Sequence, residues 1–197
     1  MAESPDHEAS DDDAATSYQE ALRRGVPLRD PDGTLSYPSP RSRPRPDFSL
    51  DPLHRSLMLI SVVVPVLLTA FIAVRMPSMP AQVPVQFGLD GTVNRYGSPW
   101  EGLWTAAGAA AVIIGVAVLA RFPRVFNYPV ELTSSNIQVQ YKNAVQMMVW
   151  LNVSMAVLVM GLMALWIDLL WINLVWVGLV LMGVSMVFFI RRMLKLR

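Results

Sequence analysis

SLMLISVVVPVLLTAFIAV, residues 56–74, holds no acidic or basic side chain along its whole length. A helix rises about 1.5 Å per residue, and roughly 20 apolar residues cross the ~30 Å hydrocarbon core of a bilayer. A helix on the surface of a soluble protein would carry a polar face. This stretch has none, so it reads as a membrane span. Pro65 removes one backbone donor and predicts a local kink, with the freed carbonyl satisfied by neighbours. Three more charge-free runs follow, at about 103–120, 145–166 and 169–190. Four such runs argue against a soluble bundle. The fold class they predict is an all-α integral membrane protein: four transmembrane helices with a small extracytoplasmic hairpin insert and a disordered N-terminal tail.

The charges outside the runs divide the chain. It has 197 residues, 53% of them hydrophobic and 16% charged. Of its 15 acidic residues, only Asp90, Glu101, Glu131 and Asp168 lie beyond residue 52. We therefore expect a disordered cytoplasmic tail at 1–52 and a four-helix membrane domain at 53–197. The tail is rich in proline and poor in large apolar residues, so burial cannot offset its chain entropy. Three local features stand out in it. Ser17-x-x-Glu20 fits the capping box of a short helix that Gly25 would end. DPDG at 30–33 reads as a turn. RSRPRP at 41–46 is extended and cationic. Because the first apolar run starts near residue 56, no cleaved signal peptide is expected. Cysteine is absent, which excludes disulfides and thiolate metal sites, and no cofactor is expected.

Lysine and arginine set the expected orientation. Seven precede the first run, three (Arg121, Arg124, Lys142) lie between runs two and three, and four follow run four. Only Arg75 and Arg95 lie between runs one and two. The positive-inside rule then places both termini in the cytoplasm and the segment between runs one and two outside. RSRPRP with Arg55, and the basic C-terminus, would also attract anionic lipids by about 1 kcal/mol per residue near the surface. They serve equally well as determinants of topology.

The outer segment, VPVQFGLDGTVNRYGS at 83–98, alternates apolar and polar residues, turns at GLDG and alternates again. It predicts a hairpin with a four-residue loop. A lone hairpin is unstable in water, so it should rest on helix ends through Phe87 or Tyr96. Inside, Pro123 and Pro129 stop the second helix, and Thr133 or Ser134 offers an N-cap to a third helix of about 33 residues. Asn136, Gln140 and Asn143 form a polar stripe on its first turns, expected to be solvated at the membrane interface. Asn152 and Asn173 are expected to bond across helices, at about 1 kcal/mol each. Ala107, Ala111 and Gly115 form a small-residue stripe on the second helix. It would admit close approach of another helix, from this chain, from a second copy in a homo-oligomer or from another membrane partner.

The two loops resemble a known membrane family. MPAQVPVQFGLDGTVNRYGS, 79–98, resembles the signature of the 1648 domain of unknown function on Met79-Pro80, Pro84, Phe87-Gly88, Asp90-Gly91, Asn94 and Tyr96-Gly97-Ser98. FNYPVELTSSNIQVQY, 126–141, is similar to the run after the second helix of such proteins on Asn127-Tyr128-Pro129, Thr133, Asn136 and Gln140-Tyr141. The resemblance runs from residue 56 to about 166. It implies kinship with the Sdp-type immunity proteins of spore-forming bacteria, which protect the producing cell from a secreted peptide toxin and signal its presence. Many members carry His where this chain has Gln86, so no metal-binding or proton-sensing role is implied there.

These features predict a bacterial cell-membrane protein that binds or senses an extracytoplasmic ligand such as a peptide. The ligand-binding candidates are Phe87, Asp90, Asn94 and Tyr96 outside, and Asn127, Tyr128 and Asn136 inside. The alternative is an accessory structural subunit or transporter component of a membrane complex. Ion transport usually needs ionisable groups within the membrane, and the runs have none. Catalysis would fall to Asp90, Glu101, Glu131 or Asp168, none of which has a nearby His or paired acid; no enzyme activity is expected. Nucleic-acid binding is not expected either, because RSRPRP lacks interleaved aromatics and the tail before it is acidic.

Overall fold

A computed structural model of the protein describes residues 18–88, 90–166 and 172–196. Four long helices dominate it: α1 (Pro52–Arg75), α2 (Pro99–Leu119), α3 (Ile137–Trp166) and α4 (Ile172–Lys195). All four are long and apolar enough to cross a membrane, so the chain is a multi-pass membrane protein. Two antiparallel hairpins accompany them, β1 (Leu28–Arg29) with β2 (Leu35–Ser36) and β3 (Val83–Phe87) with β4 (Val93–Gly97). The chain forms two compact units. A helical unit comprises Leu50–Arg121 and Val145–Ile190, and a loop unit comprises Phe122–Ala144 with the segments up to Ser49 and from Arg191.

In the helical unit, α1 starts where Asp51 accepts the His54 amide and Pro52 supplies a preset φ. It stays one helix across Pro65, whose own carbonyl accepts from Thr69 Oγ1 at 2.8 Å. The core gathers Ile72 of α1, Ala106 and Ile113 of α2, and Ala156, Val159 and Met163 of α3. On α2 the buried line is Gly102, Ala106, Ala110 and Ile113. The small stripe singled out in the sequence lies beside it: Ala111 and Gly115 are exposed, and a Cβ on Gly115 would meet nothing within 4 Å. Each residue turns the helix by about 100°, so a one-residue offset separates a packed line from an open one.

Two glycines bring α3 and α4 together. A Cβ on Gly161 would lie 2.8 Å from the Val175 nitrogen, and one on Gly178 would lie 2.7 Å from the Leu158 nitrogen and Cβ. Between α3 and α1, Asn152 Nδ2 donates to Ser61 Oγ at 3.0 Å, as expected of a cross-helix amide, while Ser61 donates onward to the Met58 carbonyl. Asn173 is exposed, and no cross-helix bond from it is seen among the described residues. Leu59, Leu67, Val74, Val180, Val184 and Phe188 are exposed, which suits contact with lipid tails.

In the loop unit, a short helix over 18–24 ends at Gly25, with φ +67 and its amide donating to Ala21. The expected Ser17 cap and the acidic stretch before it lie outside the described residues. The DPDG turn closes β1–β2 with Gly33 at φ +87 and Asp32 Oδ1 accepting the Thr34 amide. Residues 18–49 carry these elements, the short helix and the turn expected within the tail among them, and bond to the loop after α2. The Ser134 amide donates to Leu35 at 2.7 Å, the Asp47 amide donates to Gln138 Oε1 at 2.8 Å, and Tyr141 Oη donates to Pro44 at 3.3 Å. Those partners lie roughly a hundred residues apart, beyond what local composition reveals.

The start of α3 and its amide stripe both depart from expectation. The helix begins at Ile137, not just after Thr133, because Ser134 is engaged with β2 and Asn136 folds back onto the Thr133 amide and Glu131 carbonyl, each at 3.0 Å. The amides are buried rather than solvated: Gln140 is 0% exposed and Asn143 1%. Gln140 Nε2 donates to Met193 at 2.9 Å and to Leu196 at 3.0 Å. These carbonyls close the last turn of α4, where helical partners run out.

Candidate functional site: the outer hairpin and the tyrosine-lined groove

The hairpin pairs Val83 with Gly97, Pro84 with Tyr96 and Phe87 with Val93, and its register slips around Gln86. Its turn rests on small residues. Gly91 has φ +83, and a Cβ on Gly88 would sit 2.6 Å from Asp90 Oδ1. Asp90 Oδ1 accepts from Thr92 Oγ1 at 2.7 Å and from the Thr92 amide at 3.1 Å, which holds the Asp90 carboxyl below its usual range. At the other end the strand runs straight into α2. Ser98 caps the helix, Glu101 Oε1 accepts from the Ser98 amide in a capping box, and Arg95 pairs with Glu101 at 2.9 Å. A Cβ on Gly97 would lie 2.6 Å from Glu101 Oε1. Phe-Gly, Asp-Gly and Tyr-Gly-Ser are thus the residues that the turn and the junction require.

The expected anchor differs in part. Val83 is the buried residue of the hairpin, Phe87 is half-buried, and Tyr96 is 57% exposed. Asn94 and Tyr96 are exposed on β4, and Trp100 and Trp104 are exposed on the first turns of α2. Among the described residues this sheet has two strands, so each keeps one edge without a partner, and such an edge can accept an extended peptide. The carboxylates here are committed: Asp90 to its turn, Glu101 to Arg95 and the cap. Asp168 lies outside the described residues. Among the described residues no group of three or more His, Cys, Asp or Glu could hold a metal ion.

The inner candidates fall in the loop unit. Asn127 and Tyr128 line one groove of about 500 Å³, together with Tyr18, Tyr37, Arg43 and Glu131. Asn136 lines a neighbouring groove of about 490 Å³ with Asp30, Asp32 and Glu131, but its amide is engaged with Thr133 and Glu131. Tyr128 Oη donates to the Pro123 carbonyl at 3.0 Å, and burial pushes its phenol well above the usual range. The Arg43 guanidinium lies 5.4 Å over the Tyr128 ring and donates to the carbonyls of Arg124 at 2.6 Å and Phe126 at 2.8 Å. Sequence reasoning missed Arg43, Tyr37 and Tyr18. The available signal was an arginine followed by proline in RSRPRP, which we read as an extended cationic stretch.

Residues 63–110 match the family model described as Domain of unknown function (DUF1648). The DUF1648 match covers the C-terminal part of α1, the hairpin and the first half of α2. It includes every residue of the first signature and ends before the Asn127-Tyr128-Pro129 loop. No curated protein and no solved structure matches the chain.

Proposed function

We propose that the chain is a protein of the bacterial cell membrane, with both termini in the cytoplasm, that binds or senses an extracytoplasmic peptide through the β3–β4 hairpin, as immunity or signalling proteins do. The observation that supports this most is β4 itself. Val93 to Tyr96 are all exposed, one strand edge is open, and the strand is joined to α2 without a flexible linker. Peptides bind such edges through backbone hydrogen bonds, with side chains such as Tyr96 supplying contact area. The lysine and arginine distribution supports the orientation.

The topology is tested by fusing alkaline phosphatase at Gly91 and, separately, after the last residue. Activity is expected only at Gly91. The binding role is tested by challenging cells that express the chain with the secreted peptide fraction of the producing strain. The Tyr96→Ala variant, at unchanged protein level, should lose protection; survival equal to that of the unaltered chain removes the immunity reading. A role as an accessory subunit draws support from one feature, the open line of Ala111 and Gly115 on α2.

A further inference from the structure

The groove of the loop unit holds two opposite charges that do not neutralise each other. Arg43 is only 8% exposed. One terminal nitrogen serves two carbonyls, and its Nε is buried without an acceptor. Among the described residues, the ion pairs are Arg24–Glu20, His54–Asp51 and Arg95–Glu101, so no carboxylate pairs with Arg43. Glu131 lines the same groove, and its exposed carboxylate makes no hydrogen bond or ion pair among the described residues. A nearly buried guanidinium without a counter-ion is costly, and its planar fork suits phosphate. An anion alone would meet Glu131 unfavourably, so the occupant must carry positive charge as well.

The groove also has aromatic walls. Tyr18, Tyr37 and Tyr128 line the groove, and tyrosine faces attract ammonium groups. A volume of about 500 Å³ admits a phosphate and an amine a few ångströms apart. The loop that forms one wall connects α2 to α3, both long enough to span a bilayer, which keeps it within reach of lipid headgroups. We propose that this groove binds a phosphate–ammonium zwitterion of the phosphoethanolamine class, with phosphate on Arg43 and ammonium on Glu131 and the rings of Tyr18 and Tyr37, the Tyr128 ring being taken by Arg43. The site is separate from the outer hairpin and stands whether or not that hairpin binds a peptide.

The test uses the full purified chain in mild detergent and counts retained lipids by native mass spectrometry. Phosphatidylethanolamine, phosphatidylglycerol and phosphatidylcholine are offered in equal amounts. Phosphatidylethanolamine should be retained above both others: phosphatidylglycerol lacks the ammonium, and choline has no N–H for Glu131. Arg43 also holds two backbone carbonyls, so the deciding variant is Glu131→Gln at the exposed wall. It should lower the preference for phosphatidylethanolamine over phosphatidylglycerol by about three- to fivefold, the ratio an exposed charge pair supplies. Equal retention of the three lipids, or a preference that E131Q leaves unchanged, overturns the proposal. Free O-phosphoethanolamine assigns the source: displacement of the lipid at millimolar concentration supports a site open to the soluble form, and retention of the lipid supports one for the headgroup.

Discussion

The closest approach of α3 and α4 can be tested with a single methyl group. A Cβ on Gly178 would stand 2.7 Å from both the nitrogen and the Cβ of Leu158 and 2.8 Å from its Cα. Carbon atoms pack at about 3.5–4.0 Å, so Gly178→Ala requires the helices to separate locally by roughly 0.8 Å. Two of the three obstructing atoms are backbone, which no change of rotamer can move aside. Overpacking of this kind costs about 1–3 kcal/mol. Gly183, on the same helix, is the internal control, because a Cβ there meets nothing within 4 Å. Alanine also favours a helix over glycine by about 1 kcal/mol, so Gly183→Ala should be neutral or stabilising. The assay is reversible unfolding of purified protein in mixed micelles titrated with dodecyl sulfate, followed by circular dichroism. Gly178→Ala gains the same helix preference, so the two variants should differ by the overpacking alone, about 1–3 kcal/mol in favour of Gly183→Ala. Equal stabilities, or a larger loss at Gly183, would refute the claim that these helices meet backbone to backbone.

Three further outcomes are expected. Gln140→Leu strips the Met193 and Leu196 carbonyls of their side-chain donor and should cost about 1–3 kcal/mol, with hydrogen exchange rising first at the C-terminal turn of α4. Gly97→Ala drives a Cβ against Glu101 Oε1, so it should break the capping box and cost about 1 kcal/mol; adding Glu101→Ala should leave little further loss if the clash is the cause. The hydrogen bonds from the His54 side chain and amide lower Asp51 from 3.8 to about 2. Its contribution to stability is therefore complete above about pH 4 and fades as pH falls toward 2; Asp51→Asn should flatten that part of the acid-unfolding profile.

The parts of this fold that were legible in the sequence depend on short-range rules. Charge-free runs mark spans because a bilayer admits little else, and each of α1 to α4 overlaps one of them. The hairpin was legible because alternation and the Asp90-Gly91 turn act within a few residues. What escaped depends on partners distant in sequence. Nothing near Gln140 announces that the end of α4, more than fifty residues on, needs its amide. Nothing in RSRPRP tells a buried arginine from a solvated one, since the carbonyls that hold Arg43 belong to Arg124 and Phe126. The packed line of α2 escaped for a different reason. Gly102, Ala106 and Ala110 are as small as Ala107, Ala111 and Gly115, and residue size alone cannot choose between adjacent lines.

The junction between β4 and α2 has a mechanical consequence. Arg95, Gly97, Ser98 and Glu101 are tied together within seven residues by an ion pair, a reciprocal cap and a glycine that leaves no space. No slack remains there to absorb a displacement. Whatever tugs at the exposed strand pulls on the first turn of a helix long enough to cross the bilayer, so the strand acts as a lever whose far arm is the helix itself.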